Sequence, residues 1–141
     1  MSETREFDLG DILTIIDGRL ISPRHMAGVY DILNFMTGED VFTHQIPRLM
    51  REAKPILLRA HPQLDSPEIN FAFGELTLML ETPTGKNEPV NLVAGWLSKL
   101  KATFGETLPV PKMDAFEHER IDPLSELVEH VHPDRIIIAS K

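Results

Sequence analysis

A chain of 141 residues with 42% apolar side chains is long enough for one buried core and too apolar to stay disordered. It contains no cysteine, which excludes a disulfide frame, a thiolate zinc site and a cysteine nucleophile. Its 22 acidic against 14 basic residues leave a net charge of −8, with most of the excess after Pro62, so duplex DNA would repel it.

The first stretch, Asp8 to Asp17, puts Leu9, Ile12, Leu13 and Ile16 on one helical face, with Asp8 as N-cap and Gly18 as the stop. Its run of Ile and Thr would also suit a strand. Ser22 and Pro23 read as the N-cap and first residue of a second helix, whose stripe Met26, Val29, Tyr30, Leu33 and Met36 ends at Thr37 and Gly38. Thr43 would cap a third, with Pro47 in its first turn and Ile46, Leu49, Met50 and Ala53 facing the core. Pro55 should kink or restart that helix, which ends near His61 and Pro62.

From Asp65 the pattern changes. Ile69 to Leu80 alternates in part between the breakers Ser66-Pro67 and Thr82-Pro83-Thr84-Gly85, which predicts a strand or a hairpin arm followed by a polar loop from Thr82 to Glu88. Pro89 opens a helix with Val90, Val93, Leu97, Leu100 and Phe104 on its face, Trp96 beside them and Gly105 as its stop. Thr107 to Val110 reads as an edge strand. Asp122 and Pro123 cap a last helix through Leu124, Leu127, Val128 and Val131, and Arg135 to Ala139 reads as a short central strand. The expected fold is a single α+β domain: an N-terminal helical layer (1–64) packed on a small sheet of about three strands with two further helices (65–141). Leu33, Met36, Leu49, Leu97, Leu127 and Ile137 are its expected core.

No reaction is spelled out. Glu117, His118, Glu119, His130 and His132 are metal-ligating types, but their spacing matches no established site, so no metal and no cofactor are expected. The serines lack a Gly-x-Ser-x-Gly turn, no glycine-rich phosphate loop occurs, and Glu39-Asp40 beside Gly38 reads as a solvated turn, so no catalytic residue is assigned. What stands out is polar. Ser22-Pro23-Arg24-His25 and Thr43-His44-Gln45 with Arg48 place cationic side chains beside backbone N–H groups at two helix entrances, a setting suited to a phosphate or carboxylate. His44, Arg48 and Arg51 could share one helix face. The alternative is structural: hydroxyls as caps, arginines paired with Asp31, Glu39 or Glu52, and His44 on a buried carbonyl.

Gly18-Arg19-Leu20, Ser22-Pro23-Arg24, Val29 to Asn34, Met36-Thr37-Gly38, Phe42 to Arg48 and His61 to Leu64 resemble a family of small phage-encoded proteins known only as a domain of unknown function. The likeness extends more loosely through Trp96-Leu97, Gly105 to Val110 and Asp122-Pro123, with Glu68 to Glu88 as an addition. It implies a phage or prophage origin and action in the bacterial cytoplasm, and it carries over no catalytic residue.

The expectation is therefore a non-enzymatic binding protein of host takeover or counter-defence. Arg24, His44, Gln45 and Arg48, with Arg19 and Tyr30, would hold an anionic, nucleotide-like ligand, in a symmetric homo-oligomer. The alternative is an acidic inhibitor, of the anti-CRISPR kind, that covers a host defence or nucleic-acid-binding complex. A nucleotide-directed enzyme is a third possibility. The absence of a signal-peptide-length or membrane-length apolar run points to a soluble chain with no membrane partner.

Overall fold

The chain opens on a strand that hydrophobic patterning does not reveal. β1 (Thr4–Asp8) pairs antiparallel with β2 (Thr107–Pro111), Thr4 opposite Pro111 and Asp8 opposite Thr107, with Phe7 and Val110 buried. A computed structural model describes residues 3–114 and 117–130. Among them are this two-stranded sheet and seven α-helices: α1 (Leu9–Asp17), α2 (Met26–Thr37), α3 (Ile46–Ala60), α4 (Pro67–Leu80), α5 (Pro83–Asn87), α6 (Pro89–Phe104) and α7 (Pro123–His130). The protein is a mostly helical α+β fold, with two strands where about three were expected. One expected strand is α4, and the other, Arg135 to Ala139, lies outside the described residues.

α1 is the central helix, packed against α2, α3 and α6, and every residue from Leu9 to Ile16 is buried. Asp8 caps it by accepting the Gly10 N–H at 2.7 Å, and Gly18 ends it in the left-handed region (φ 90°) that glycine adopts without a steric cost. Thr14 is an unusual core residue whose hydroxyl is saturated. It donates to the Gly10 carbonyl at 2.8 Å and accepts the N–H groups of Ile21 and Ser22, each at 2.9 Å, folding the 18–22 connection back onto α1. Polar atoms buried with full bonding cost little, which is why the threonine is tolerated there.

Three expectations give way to local chemistry. α2 starts at Met26 and not at Ser22: the Ser22 hydroxyl donates to Asp11 and accepts the Arg24 N–H at 3.1 Å in a turn, and His25 then takes φ 55°, outside any helical path. α3 runs unbroken through Pro55, since Ile46, Leu49 and Ala53 before it and Ile56 and Leu57 after it are buried on one face. Their burial, at roughly 1.5–3 kcal/mol for each large side chain, outweighs the ~3 kcal/mol cost of an interior proline. Ile69 to Leu80 is helical because Ser66 caps it, accepting the Ile69 N–H at 3.3 Å, and Pro67 fills its first turn; Ile69, Ala72 and Leu76 then bury at spacings of three and four. The expected loop after it is α5, capped by Thr82. α6 docks on α4, with the Trp96 indole N–H donating to the Ala72 carbonyl at 3.0 Å.

Leu33, Met36, Leu49 and Leu97 are in the core as expected. Leu127 is not. It is 41% exposed and Leu124 more so, because α7 turns Glu126, only 1% exposed, toward the interior. Ile137 lies outside the described residues.

Candidate functional site

The two polar helix entrances become two networks of charge, each built around one buried carboxylate. At the first, the fully buried carboxylate of Asp11 on α1 is met by the Ser22 hydroxyl and by the Arg24 guanidinium, which also donates to Asp31 at 2.9 Å; Arg5 reaches Asp31 from β1. Gly28 permits this approach: a Cβ there would lie 2.3 Å from both the Asp11 carboxylate and the Ser22 hydroxyl. The hydrogen bond to Asp11 is the foremost of several effects that raise the Arg24 pKa, outweighing its partial burial. For Asp31, burial pushes the carboxyl up, but the bonds from Arg5 and Arg24 together hold it below the usual carboxylate range.

At the second entrance Arg48 on α3 clamps Glu126 of α7 with two parallel bonds, Nε to Oε2 at 2.7 Å and Nη2 to Oε1 at 2.9 Å. Gln45 adds a donor to Oε1 at 3.1 Å, while its own carbonyl oxygen accepts the Phe42 N–H at 3.0 Å. Arg48 Nη1 also donates to Glu52 at 2.6 Å and to the Glu119 carbonyl at 2.8 Å. The bond to Glu126 is the main reason the guanidinium is held well above its ordinary range, with Glu52 contributing. A buried carboxylate gripped at both oxygens is fixed in place, and α7 with it.

His118 extends this network. Its Nδ1 lies 2.7 Å from Glu52 and its Nε2 contacts Glu39, which also receives Arg120. The two carboxylates sit at opposite ring nitrogens and share no point where an ion could bind. Among the described residues no group of three or more His, Asp or Glu side chains is arranged to hold a metal.

The six residues expected to bind a ligand are not gathered around one opening. Gln45 and Arg48 meet at Glu126. Tyr30 bonds the Thr43 hydroxyl, and neighbouring His44 contacts the Pro123 carbonyl at 2.7 Å. Arg24 belongs to the Asp11 network, and Arg19 lies apart, bonded to Asp17 at 2.5 Å, to Thr77 at 2.9 Å and to the Phe73 carbonyl at 3.1 Å, which ties the end of α1 to α4. Nor do His44, Arg48 and Arg51 meet at one point: His44 lies in a 3₁₀ turn before α3, Arg48 is bonded to Glu126, and Arg51 lines a groove beside α1.

The sequence names Asp31, Glu39 and Glu52 as partners for the arginines, and each is paired with one, but it does not point to Asp11 and Glu126. Asp11 gave a signal, a carboxylate inside the otherwise apolar run of α1, which demands a buried cation. Glu126 gave none, because Leu124 and Leu127 are the residues that apolar periodicity selects.

At two places elsewhere on the surface, openings are lined mainly by apolar side chains. A cavity of about 270 Å³ opens where the 20–25 connection meets the start of α6; Leu20, Pro23, Val90, Val93 and Leu97 line it, and His25 stands at it with its strained backbone. None of the six expected residues lines this cavity or the groove beside Arg51.

Residues 7–66 match the family model described as Domain of unknown function (DUF7736). That stretch contains both polar entrances and runs from β1 to the cap of α4. No curated protein and no solved structure matches the chain. Among the described residues, no helix is long and apolar enough to cross a membrane.

Proposed function

We propose that this chain is a non-enzymatic binding protein that acts by covering a protein partner, in the setting of phage takeover or counter-defence inside a bacterial host. The observation that carries the reading is where the open chemistry lies. The arginines at the helix entrances are bonded to the chain's own carboxylates, whereas the cavity beside them presents Leu20, Pro23 and Val90, with Val90 63% exposed. An apolar recess on a molecule of net charge −8 suits an apolar anchor side chain on a basic protein surface. The same acidity would steer a nucleic-acid-binding partner toward the chain and make the complex weaken with salt.

Val90→Asp tests this. The residue sits in the first turn of α6, where an aspartate favours the helix, so the fold is spared while the recess becomes charged. Immobilised wild-type chain should retain a host protein from bacterial lysate in a salt-sensitive manner, and Val90→Asp should release it with an unchanged melting temperature. Retention indifferent to Val90→Asp overturns the reading. So does a nucleotide recovered chemically altered after incubation with the chain, which would make it an enzyme.

A further inference from the structure

Arg5, Arg19, Arg24, Arg48, Arg59 and Arg120 each form an ion pair with a carboxylate. Arg51 forms none among the described residues, and neither does Lys54 one turn further along α3. Among the described arginines only Arg51 has no carboxylate partner, and the neighbouring Lys54 brings a second uncompensated charge to the same place. Both stand over a groove of about 410 Å³ between the end of α1 and α3, with Ile15, Ile16, Pro47 and Met50 as its apolar lining. Asp17 is also at the groove, but Arg19 neutralises it at 2.5 Å.

We propose that this groove is a site for a small organic phosphate. Two cations three residues apart on a helix stand side by side, close enough to share the oxygens of one phosphate monoester. Pro47 and Met50, standing over the buried Ile15 and Ile16, take the compact apolar or aromatic body that carries the phosphate, and the volume is in the range of small-molecule sites. The occupant is anionic because the uncompensated charge is positive, and it is organic because the lining between the cations and α1 is apolar. The site is independent of the protein-covering surface proposed above, which lies at the start of α6.

The experiment is a titration of the full chain, followed by the methyl resonances of Ile15, Ile16 and Met50, with three probes: inorganic phosphate, phenyl phosphate and adenosine 5′-monophosphate. The variants are Arg51→Gln, Lys54→Gln and the double substitution. Phenyl phosphate or the nucleotide should shift all three methyls, and whichever binds more tightly identifies a simple aryl or alkyl phosphate or a nucleotide as the source. Inorganic phosphate should bind at least about tenfold more weakly, and the double variant should lose about tenfold or more in affinity for the organic phosphates with no change in its melting temperature. Three results overturn the proposal: no methyl shift with any probe, equal affinity for inorganic and organic phosphate, or undiminished binding by the double variant. A lower melting temperature for the unliganded double variant would also overturn it, showing that the cations serve the negative end of α1, which has no basic residue in its own last turn.

Discussion

Two neighbouring positions on α3 carry the same residue type with opposite surroundings. Arg48 is enclosed, bonded to two carboxylates and a carbonyl, and holds α7 to the helical body. Arg51, three residues on, faces a groove and holds nothing. Residue type at a helix entrance therefore does not separate recognition from architecture. Whether the cation meets a buried carboxylate does, because a buried charge without its partner is expensive and a solvated one is not. The contrast recurs at larger scale: the 7–66 stretch is knitted by buried polar bonds, while α4 and α6 present Phe71, Leu78 and Val90 to solvent.

Removing Arg48 tests the enclosed side with the largest expected effect. Arg48→Ala leaves Glu126 buried without its cation and should lower stability by about 3–5 kcal/mol in denaturant unfolding. The double variant Arg48→Met with Glu126→Leu should recover much of that loss, since no orphaned charge remains; equal losses in the single and double variants would mean that the charge pair is not the cause. Next, Leu33→Ala, in the fully buried stripe of α2, should cost on the order of 2–5 kcal/mol. Leu78→Ala, on the open face of α4, should stay within about 0.5 kcal/mol. A Leu78 variant as damaging as the Leu33 variant would show that the α4 face is covered in solution.

A smaller effect belongs to pH. Asp31 has a depressed pKa in the folded chain, so it binds a proton less readily there than in the unfolded chain. Its contribution to stability is complete above the unfolded value of about 3.9 and is lost as pH falls through the lower folded value. Asp31→Asn should therefore lower stability near neutral pH and converge on wild type as the pH falls below the folded value, which flattens the acid end of the stability profile. An acid limb as steep in Asp31→Asn as in wild type would assign the acid sensitivity to other carboxylates.

Helices were legible where apolar spacing and caps agreed. Asp8 and Gly18 bracket α1, and the stripe through Val29, Leu33 and Met36 marks α2. α4 was misread because Ile69, Phe71 and Phe73 are strand-favouring types in partial alternation, while the decisive signal, Ser66-Pro67 as a cap and first turn, is only two residues long. β1 was missed because Thr4 to Asp8 is mostly exposed and becomes a strand only by pairing with a segment about a hundred residues away, a contact that no local pattern encodes. The polar residues of the two entrances were legible, and so were their nearby partners Asp31 and Glu52; the buried ones were not, because Asp11 is on α1 and Glu126 follows far along the chain.

Equilibrium unfolding of Arg48→Gln beside Arg51→Gln measures the contrast directly, with one substitution chemistry on one helix at positions three residues apart. Arg48→Gln should lose several kcal/mol, on the order of the about 3–5 kcal/mol of a broken buried pair, and Arg51→Gln should remain within about 0.5 kcal/mol of wild type. Similar losses in the two variants, or a larger loss for Arg51, would contradict the contrast between an enclosed arginine and an open one on α3.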